Sequence, residues 1–435
     1  MAIAKAIVGT FLLRIVGMFA TLLCSVLLAR LLGVAEFGAY SFTIALVTIL
    51  ALPAQAGIPT LLLRETAKAK AIKDWAAMKG IWLWTGCTVA FLGLVIIICS
   101  FLIRSAYTFE YAKLNESIII PLGVVMSLLV ALGNVRGAAL RGLGFVIKGQ
   151  LPEEIIKPVS FLFLLSLVYM VGQDITSVVA MGLHLVAAVF AFFYGAWLLL
   201  NAKPRQINNE KPKILWSKWA FTAMPLALMA GIQTFNSHID ILMLGALGTV
   251  AQVGVYKVVV SGAALTVFGL QVSNVVIAPR LASSFATNNV SDAQKIASYG
   301  SLISFVFTLP ILLVFLFYGE WLLGFVFGEE YRHGHTALLI ITVSQVVSAF
   351  FGSSISLMTM SSNERHVLIA MTTALLVNLI LNTMLIPTFG IEGAAYSTAA
   401  SIVIWNGYLW LVAKVKMNVD STFVWLLLNK FKRRG

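Results

Sequence analysis

Charge is scarce in this sequence. Asp, Glu, Lys and Arg make up 11% of its 435 residues, where an ordinary soluble domain carries about 25%. With 60% hydrophobic residues and a mean hydropathy of +0.96, the deficit excludes a soluble fold, which could not hide so much apolar surface. Cysteine is nearly missing as well. Cys24, Cys87 and Cys99 sit inside apolar stretches without CxxC spacing, so they read as small core residues and call for neither a disulfide framework nor a thiolate metal site. The chain has no Walker A loop, no HExxH and no Cys/His cluster. Glu329-Glu330-Tyr331-Arg332-His333-Gly334-His335 comes nearest to a ligand set and reads as a solvated loop. The sequence therefore calls for no catalytic residue, no cofactor and no metal. Acid is the scarcer sign of charge: 17 acidic residues against 30 basic ones, a net +13. In a soluble protein that excess would point to nucleic acid. Here it is assigned to loops on one membrane face, and no nucleic-acid partner is expected.

What the chain has in abundance is long apolar runs. Each is long enough to cross about 30 Å of hydrocarbon, and inside lipid such runs must be helices because only a helix satisfies its own backbone. Twelve spans are expected, near 6–32, 38–62, 80–103, 117–140, 154–172, 176–200, 217–247, 251–277, 298–318, 335–360, 366–387 and 391–413. The first is too long for the apolar core of a cleavable signal and contains Arg14, so it is read as a span. Pro53, Pro59, Pro121, Pro152 and Pro387 mark breaks between spans.

With twelve spans and a cytoplasmic N-terminus, 25 of the 30 basic residues fall on the cytoplasmic side. Arg30, Arg104, Lys113 and Arg332 fall outside, and Lys257 lies within a span. The positive-inside rule then places both termini in the cytoplasm. The basic tail, residues 414–435, carries an apolar segment from Phe423 that suits either a solvated end or the anionic inner leaflet.

The sequence also repeats. Leu32-Gly33-Val-Ala-Glu-Phe-Gly38-Ala-Tyr40 is echoed by Leu247-Gly248-Thr-Val-Ala-Gln-Val-Gly254-Val-Tyr256, and 24 residues separate Tyr40 from Arg64 and Tyr256 from Arg280. Gly172 and Gly390 correspond in the same way. Six spans per half give both halves one orientation, hence parallel repeats. The expected organisation is an N-terminal six-helix bundle at 1–200, a cytoplasmic linker at 201–216, a C-terminal six-helix bundle at 217–413 and a tail at 414–435. The fold class is thus an all-α integral membrane protein, two pseudo-symmetric bundles around a central cavity.

Several of these segments resemble one family. Arg30-Leu-Leu-Gly-Val-Ala-Glu-Phe-Gly-Ala-Tyr40, Ala139-Leu-Arg141-Gly-Leu-Gly144, Asp240-Ile-Leu-Met-Leu-Gly245 and Leu-Ile-Pro387-Thr-Phe-Gly390-Ile-Glu-Gly393-Ala-Ala-Tyr396 resemble polysaccharide transporters and O-antigen flippases of the multidrug/oligosaccharidyl-lipid/polysaccharide exporter superfamily. Their order and spacing are the specific signal, since each glycine-rich turn alone suits any helical hairpin. The resemblance implies a non-enzymatic flippase that moves undecaprenyl-diphosphate-linked oligosaccharide repeat units from the cytoplasmic to the periplasmic leaflet of a bacterial inner membrane by alternating access, in lipopolysaccharide O-antigen or other surface polysaccharide biosynthesis. The partners it implies are the lipid-linked oligosaccharide, membrane lipids, a polysaccharide polymerase, a chain-length protein and a coupling ion, H+ or Na+. The alternatives are a cation-coupled multidrug antiporter of the same superfamily and a non-transporting membrane component of glycan assembly.

Ionisable groups inside spans mark the candidate site, because they are costly there and face cavities or partners. Arg14 falls on a stripe with Thr10, Thr21 and Ser25. Gln233, Asn236 and Asp240 form a second stripe. Lys257, on the following helix, is expected at the depth of Asp240 and is read as its ion-pair partner or as a contact for an anionic cargo. These five are the expected cavity residues. Arg64, Arg136, Arg141 and Arg280 are expected at the cytoplasmic mouth, as interfacial anchors or phosphate contacts. Asn134, Asn274, Gln345, Asn378, Asn382 and Asn406 are polar groups divided between interhelical hydrogen bonds and sugar contacts. Trp82, Trp84, Trp321 and Trp410 fit an interfacial belt. The topology is directly testable: reporters fused at Asn208 and at the C-terminus should read cytoplasmic and one at Asn115 periplasmic, and a periplasmic C-terminus would sink the twelve-span arrangement.

Overall fold

A computed structural model describes residues 2–55, 57–106, 118–287 and 289–426, and among them every regular element is helical. The first elements are α1 (Ala2–Leu50), α2 (Leu52–Gln55), α3 (Ile58–Ala71), α4 (Trp75–Ala106) and α5 (Ile119–Gly142). Then come α6 (Val146–Leu151), a π turn at Pro152–Ile156, α7 (Lys157–Met170) and α8 (Ser177–Ala202). A 3-10 turn, Arg205–Asn209, leads to α9 (Trp216–Leu247), α10 (Val250–Ala286) and α11 (Val290–Phe327). A second 3-10 turn, Glu329–Gly334, precedes α12 (His335–Phe351), α13 (Ser354–Met360) and α14 (Glu364–Met417). Lys113, Asn115 and the basic cluster from Lys430 to Arg434 lie outside the described residues.

Eight stretches of the described residues are long and apolar enough to cross a membrane. The 49 residues of α1 and the 54 of α14 would each run more than 70 Å at about 1.5 Å per residue, twice the hydrocarbon depth. Each is bent at a single glycine: Gly33 at φ 72° and ψ 175°, Gly390 at φ 56° and ψ −123°. Those values suit a residue without a Cβ, so two of the four glycine turns that the repeat marks are breaks within one long helix. In the second half the turn before α10 is closed by a capping box, Thr249 and Gln252 exchanging side-chain and backbone hydrogen bonds.

Several helices run past the hydropathy limits. Expected ends at 298 and 318 become Val290 and Phe327 in α11, whose start is capped by the Asn289 side chain. Capped, amphipathic turns continue outside the apolar zone, where hydropathy is blind to them. Arg64 and Arg280 accordingly lie inside α3 and α10 and do not end them. Pro152 breaks nothing: it opens the π turn, with the Lys157 N–H bonded to its carbonyl. Of the cysteines only Cys24 is buried; Cys87 and Cys99 are exposed on α4. Trp84 is buried too, packed with Trp219 and against Trp216, and not in an interfacial belt.

Contacts divide the chain within α9, into Met1–Thr234 and Phe235–Gly435. In the first unit, α3, α4, α5 and the start of α9 share a core of Leu61, Leu62, Ile81, Ala138, Trp219 and Ala223. The polar linker belongs to this unit: Lys79 Nζ donates to the carbonyls of Asn208 (3.2 Å) and Glu210 (2.7 Å), and the Lys213 N–H to Ala76 O at 3.0 Å.

In the second unit, the segment after α14 is tied to α11 and α12. Gln294 and Asp420 exchange two hydrogen bonds, Nε2 to the carbonyl at 2.6 Å and N–H to Oε1 at 2.7 Å. Ser421 Oγ donates to Phe351 O at 2.7 Å, and Asp420 Oδ1 accepts from Trp410 Nε1, Thr422 N and Thr422 Oγ1. Partial burial works against the Asp420 carboxylate, but the Trp410 and Thr422 hydrogen bonds and the Lys414 ammonium outweigh it and hold its pKa below the ordinary value. A depressed carboxylate stabilises above its unfolded pKa, about 3.9, and that contribution is lost as pH falls through the folded value. Asp420→Ala should therefore release residues 418–426 to limited proteolysis at neutral pH. The wild type should release them only on acidification below about pH 4. Equal protection of mutant and wild type would contradict this anchoring.

Candidate functional site

Six charged residues of the first unit gather where α1, α5, α7 and α8 meet the π turn. Arg136, six residues before the end of α5, is 5% exposed. Its Nη1 donates to the carbonyls of Ala191 (3.1 Å) and Phe192 in α8, and its Nη2 lies 3.4 Å from Glu153 Oε1. The Phe192 ring lies 5.6 Å from the guanidinium carbon. Two glycines make the room: a Cβ at Gly195 would collide with the Arg136 guanidinium, and one at Gly133 with the Glu153 carboxylate. Lys157 Nζ, one turn on from Glu153, completes the cluster at 3.1 Å from Glu153 Oε2. Arg136 is thus a buried structural cation and not a residue of the cytoplasmic mouth.

The neighbouring Glu154 points the other way, as successive residues do on a helix. Its carbonyl and carboxylate lie over Gly17 of α1, one turn from Arg14. Glu154 and Arg14 are the charges that act on Arg141, whose Nε reaches only Gly137 O of its own helix, at 3.4 Å. Arg14 and Glu154 are exposed and Arg141 half-buried. Of the expected stripe, Arg14 and Thr21 are exposed and Thr10 is half-buried, Thr21 donating its hydroxyl to Gly17 O, while Ser25 is buried. The structure thus brings Arg14, Arg136 and Arg141 together with Glu153, Glu154 and Lys157: four cations against two carboxylates. Arg64 stands apart, exposed and paired with its neighbour Glu65 at 3.3 Å.

In the second unit the centre is Asp240, buried in α9. Its Oδ1 accepts from Asn378 Nδ2 (3.0 Å) and Asn382 Nδ2 (2.8 Å) of α14, and its Oδ2 from Tyr256 Oη (3.0 Å) and Thr398 Oγ1. Four neutral donors fill the carboxylate's acceptor sites. Among the described residues the Asn382 side-chain oxygen beside it has no hydrogen-bond partner.

The expected Asp240–Lys257 pair is not formed: among the described residues Asp240 has no cationic partner. Tyr256 explains why. Adjacent helical residues diverge by about 100°, so once Tyr256 faces Asp240, Lys257 cannot. Lys257 itself is half-buried. Asn236 donates to Met371 O at 3.2 Å and so joins α9 to α14. Gln233 and Arg280 are exposed. The node's partners were within reach of sequence reasoning, since Asn378 and Asn382 stand one turn apart on an apolar helix. Glu153 was hidden by placing the span's start one residue after it.

Because Arg136 fills the space between α5 and α8 and supplies one of the two cations of Glu153, Arg136→Ala should destabilise the protein by about 2–5 kcal/mol, the usual cost of emptying a buried site. The neutral pair R136M/E153Q should recover most of that loss. Heating followed by size-exclusion chromatography measures the folded fraction, and an unaffected Arg136→Ala would overturn the structural assignment.

The comparisons with known proteins follow this geometry. The family model described as "Polysaccharide biosynthesis protein" matches residues 3–285, and the MatE model matches residues 225–384. The chain is 24% identical over 410 residues to a Haloferax volcanii protein described as "Probable low-salt glycan biosynthesis flippase Agl15", covering 93% of this chain and 82% of that one. Among solved structures it is similar to an inward-facing MATE-family multidrug resistance transporter of the MOP superfamily, at TM-score 0.76 and 15% identity over 92% of this chain and 94% of the other. It is also similar to the lipid II flippase MurJ in an inward closed conformation, at TM-score 0.72 and 13% identity over 94% and 87%. These likenesses establish the all-helical, multi-pass membrane fold of that superfamily. With the family model spanning well over half of its length, the chain belongs to the polysaccharide biosynthesis protein family.

Proposed function

We propose that this protein is a flippase for a lipid-linked glycan, an undecaprenyl-diphosphate-linked oligosaccharide repeat unit of O-antigen or another surface polysaccharide, moved from the cytoplasmic to the periplasmic leaflet of a bacterial inner membrane by alternating access. The observation that carries this reading is the cation excess of the first unit. Glu153 is occupied by Arg136 and Lys157, and Glu154 alone faces the pair Arg14 and Arg141. One guanidinium charge is left over in a partly exposed site, and Arg binds phosphate oxygens bidentately. Lys257 and Gln233 are the further contacts assigned to the cargo, with Arg64 and Arg280 at the cytoplasmic mouth. No step in this reading needs enzyme chemistry. The glycan polymerase and a chain-length protein would act on the delivered product.

The second reading, cation-coupled antiport, draws on one observation: among the described residues Asp240 is a buried carboxylate without a cationic partner. In a flippase the same group suits a coupling ion, H+ or Na+, which would compete with the donors of Asn378, Asn382 and Thr398. The two readings part at the arginines. Charge-assisted contacts contribute about 1.5–3 kcal/mol, so R14Q/R141Q should cut surface glycan about tenfold or more at equal membrane protein level, with lipid-linked repeat units accumulating inside. Arg14→Lys should retain part of the activity. Wild-type glycan in the double mutant, with raised sensitivity to cationic dyes on deletion of the protein, would replace the flippase reading by antiport.

A further inference from the structure

Two acidic residues that are neighbours in the chain have opposite fates. Glu153 is locked: Arg136 Nη2 lies 3.4 Å from its Oε1 and Lys157 Nζ 3.1 Å from its Oε2. Glu154 is exposed, and among the described residues no ion pair fastens its carboxylate.

The place of Glu154 is nevertheless defined. A Cβ at Gly17 of α1 would stand 2.8 Å from the Glu154 carbonyl oxygen and 3.1 Å from its Oε2, so the π turn lies directly on α1 there. Arg14 is one turn before Gly17, and residues three apart share a helix face. A Cβ at Gly149 would meet the Arg141 stem, with Cγ at 2.8 Å, which brings Arg141 over the same short segment. Among the described residues Glu154 is thus the carboxylate beside this pair of guanidinium groups, close enough to act on Arg141 and without the contacts that pin Glu153.

A carboxylate that is near its cations without being fastened to them can be exchanged for another anion, and the exchange depends on charge. A phosphodiester carries one negative charge, as each phosphate of a nucleic-acid backbone does. In displacing Glu154 it returns to the two arginines only the charge that they give up. A diphosphate esterified at both ends carries a second charge and leaves the site better neutralised than before. Selectivity then comes from a repulsive element as well as an attractive one: the carboxylate opposes every anion, and the more highly charged one overcomes it.

We propose that Glu154 is the resident counter-ion of the Arg14–Arg141 pair and the charge filter of the site: the diphosphate of a lipid-linked glycan displaces it, whereas the single phosphate of an ordinary membrane phospholipid does not. The assignment rests on the flippase reading and adds to it how the cargo is told from the phospholipids that surround it.

The test uses two matched probes, farnesyl diphosphate bearing one N-acetylglucosamine and the farnesyl monophosphate diester of the same sugar. Each is titrated into the purified full-length protein in detergent, and bound probe is counted by native mass spectrometry. Wild type should bind the diphosphate about tenfold or more tighter than the monophosphate, the effect of one further charge-assisted contact, a comparison that needs no mutant. Glu154→Gln should raise binding of the monophosphate about tenfold or more, and Glu154→Asp, which keeps the charge, should not. Because the expected result of Glu154→Gln is a gain, loss of folding cannot produce it. The proposal is overturned if Glu154→Gln binds the monophosphate no better than wild type, or if wild type binds both probes alike. R14Q/R141Q separates the two ideas. It should lose the diphosphate, in which case a failed filter leaves the flippase reading standing; a double mutant that binds the diphosphate as wild type does would remove the site from that reading and this proposal with it.

Discussion

Inside hydrocarbon an ionised side chain has no water to solvate it, at a cost of roughly 2.5–3.5 kcal/mol on insertion scales. The layout of both units follows from how that cost is met. In the first unit it is met by opposite charge. Arg136 could not lie against α8 without Gly195, nor Glu153 reach it without Gly133, so the small residues of α5 and α8 are there to admit an ion pair as much as to bring two helices together. The π turn serves the same end. By adding a residue to one turn, it sends Glu153 towards α5 and Glu154 towards α1, and one short segment serves two sets of arginines.

The second unit meets the cost with neutral donors. Around Asp240, hydrogen bonds from Tyr256, Asn378, Asn382 and Thr398 stand where water would otherwise be. This changes what each unit can do. A carboxylate neutralised by arginine has little affinity left for a small cation, whereas a carboxylate satisfied only by dipoles retains its full field. The first unit thus gathers an excess of cations about its carboxylates, and the second holds a carboxylate among neutral donors.

Much of this was legible in the sequence, and the part that was not has a physical cause. The turns at Gly33 and Gly390 could be read from repeated motifs because positive φ leaves glycine as a signature. The spans could be read from hydropathy because lipid permits no other use of such runs. Arg14, Arg136 and Arg141 could be singled out because charge inside a span is rare. What escaped were choices between helix faces. Lys257 and Tyr256 are neighbours in the chain, and charge alone favoured the lysine as the partner of Asp240; the hydroxyl won because it is the side chain that α10 turns towards α9. Arg136 likewise looked like a loop-side cation until the depth of Glu153 was known, and a π turn leaves no mark on hydropathy.

The repeat sharpens the contrast between the halves. Tyr40 and Tyr256 are one repeat apart, and each turns its hydroxyl to a later helix of its own unit: Tyr40 to His184 in α8, Tyr256 to Thr398 in α14. His184 and Thr398 are themselves nearly one repeat apart. At the same offset from Asp240 stands Cys24, so the first unit keeps the tyrosine frame of the node and has an uncharged thiol at its centre. His184, stacked between Tyr40 and Phe161, fills the space with a ring. The reverse holds for the arginine cluster: one repeat on from Arg14, Arg136, Arg141, Glu153 and Glu154 stand Ala230, Gly352, Leu357, Ile369 and Ala370. Duplication supplied one scaffold twice, and each copy keeps charge where the other has none. The carboxylate held by neutral donors thus stands in one copy of the scaffold and the excess of guanidinium in the other, although the tyrosine frame around each centre is shared.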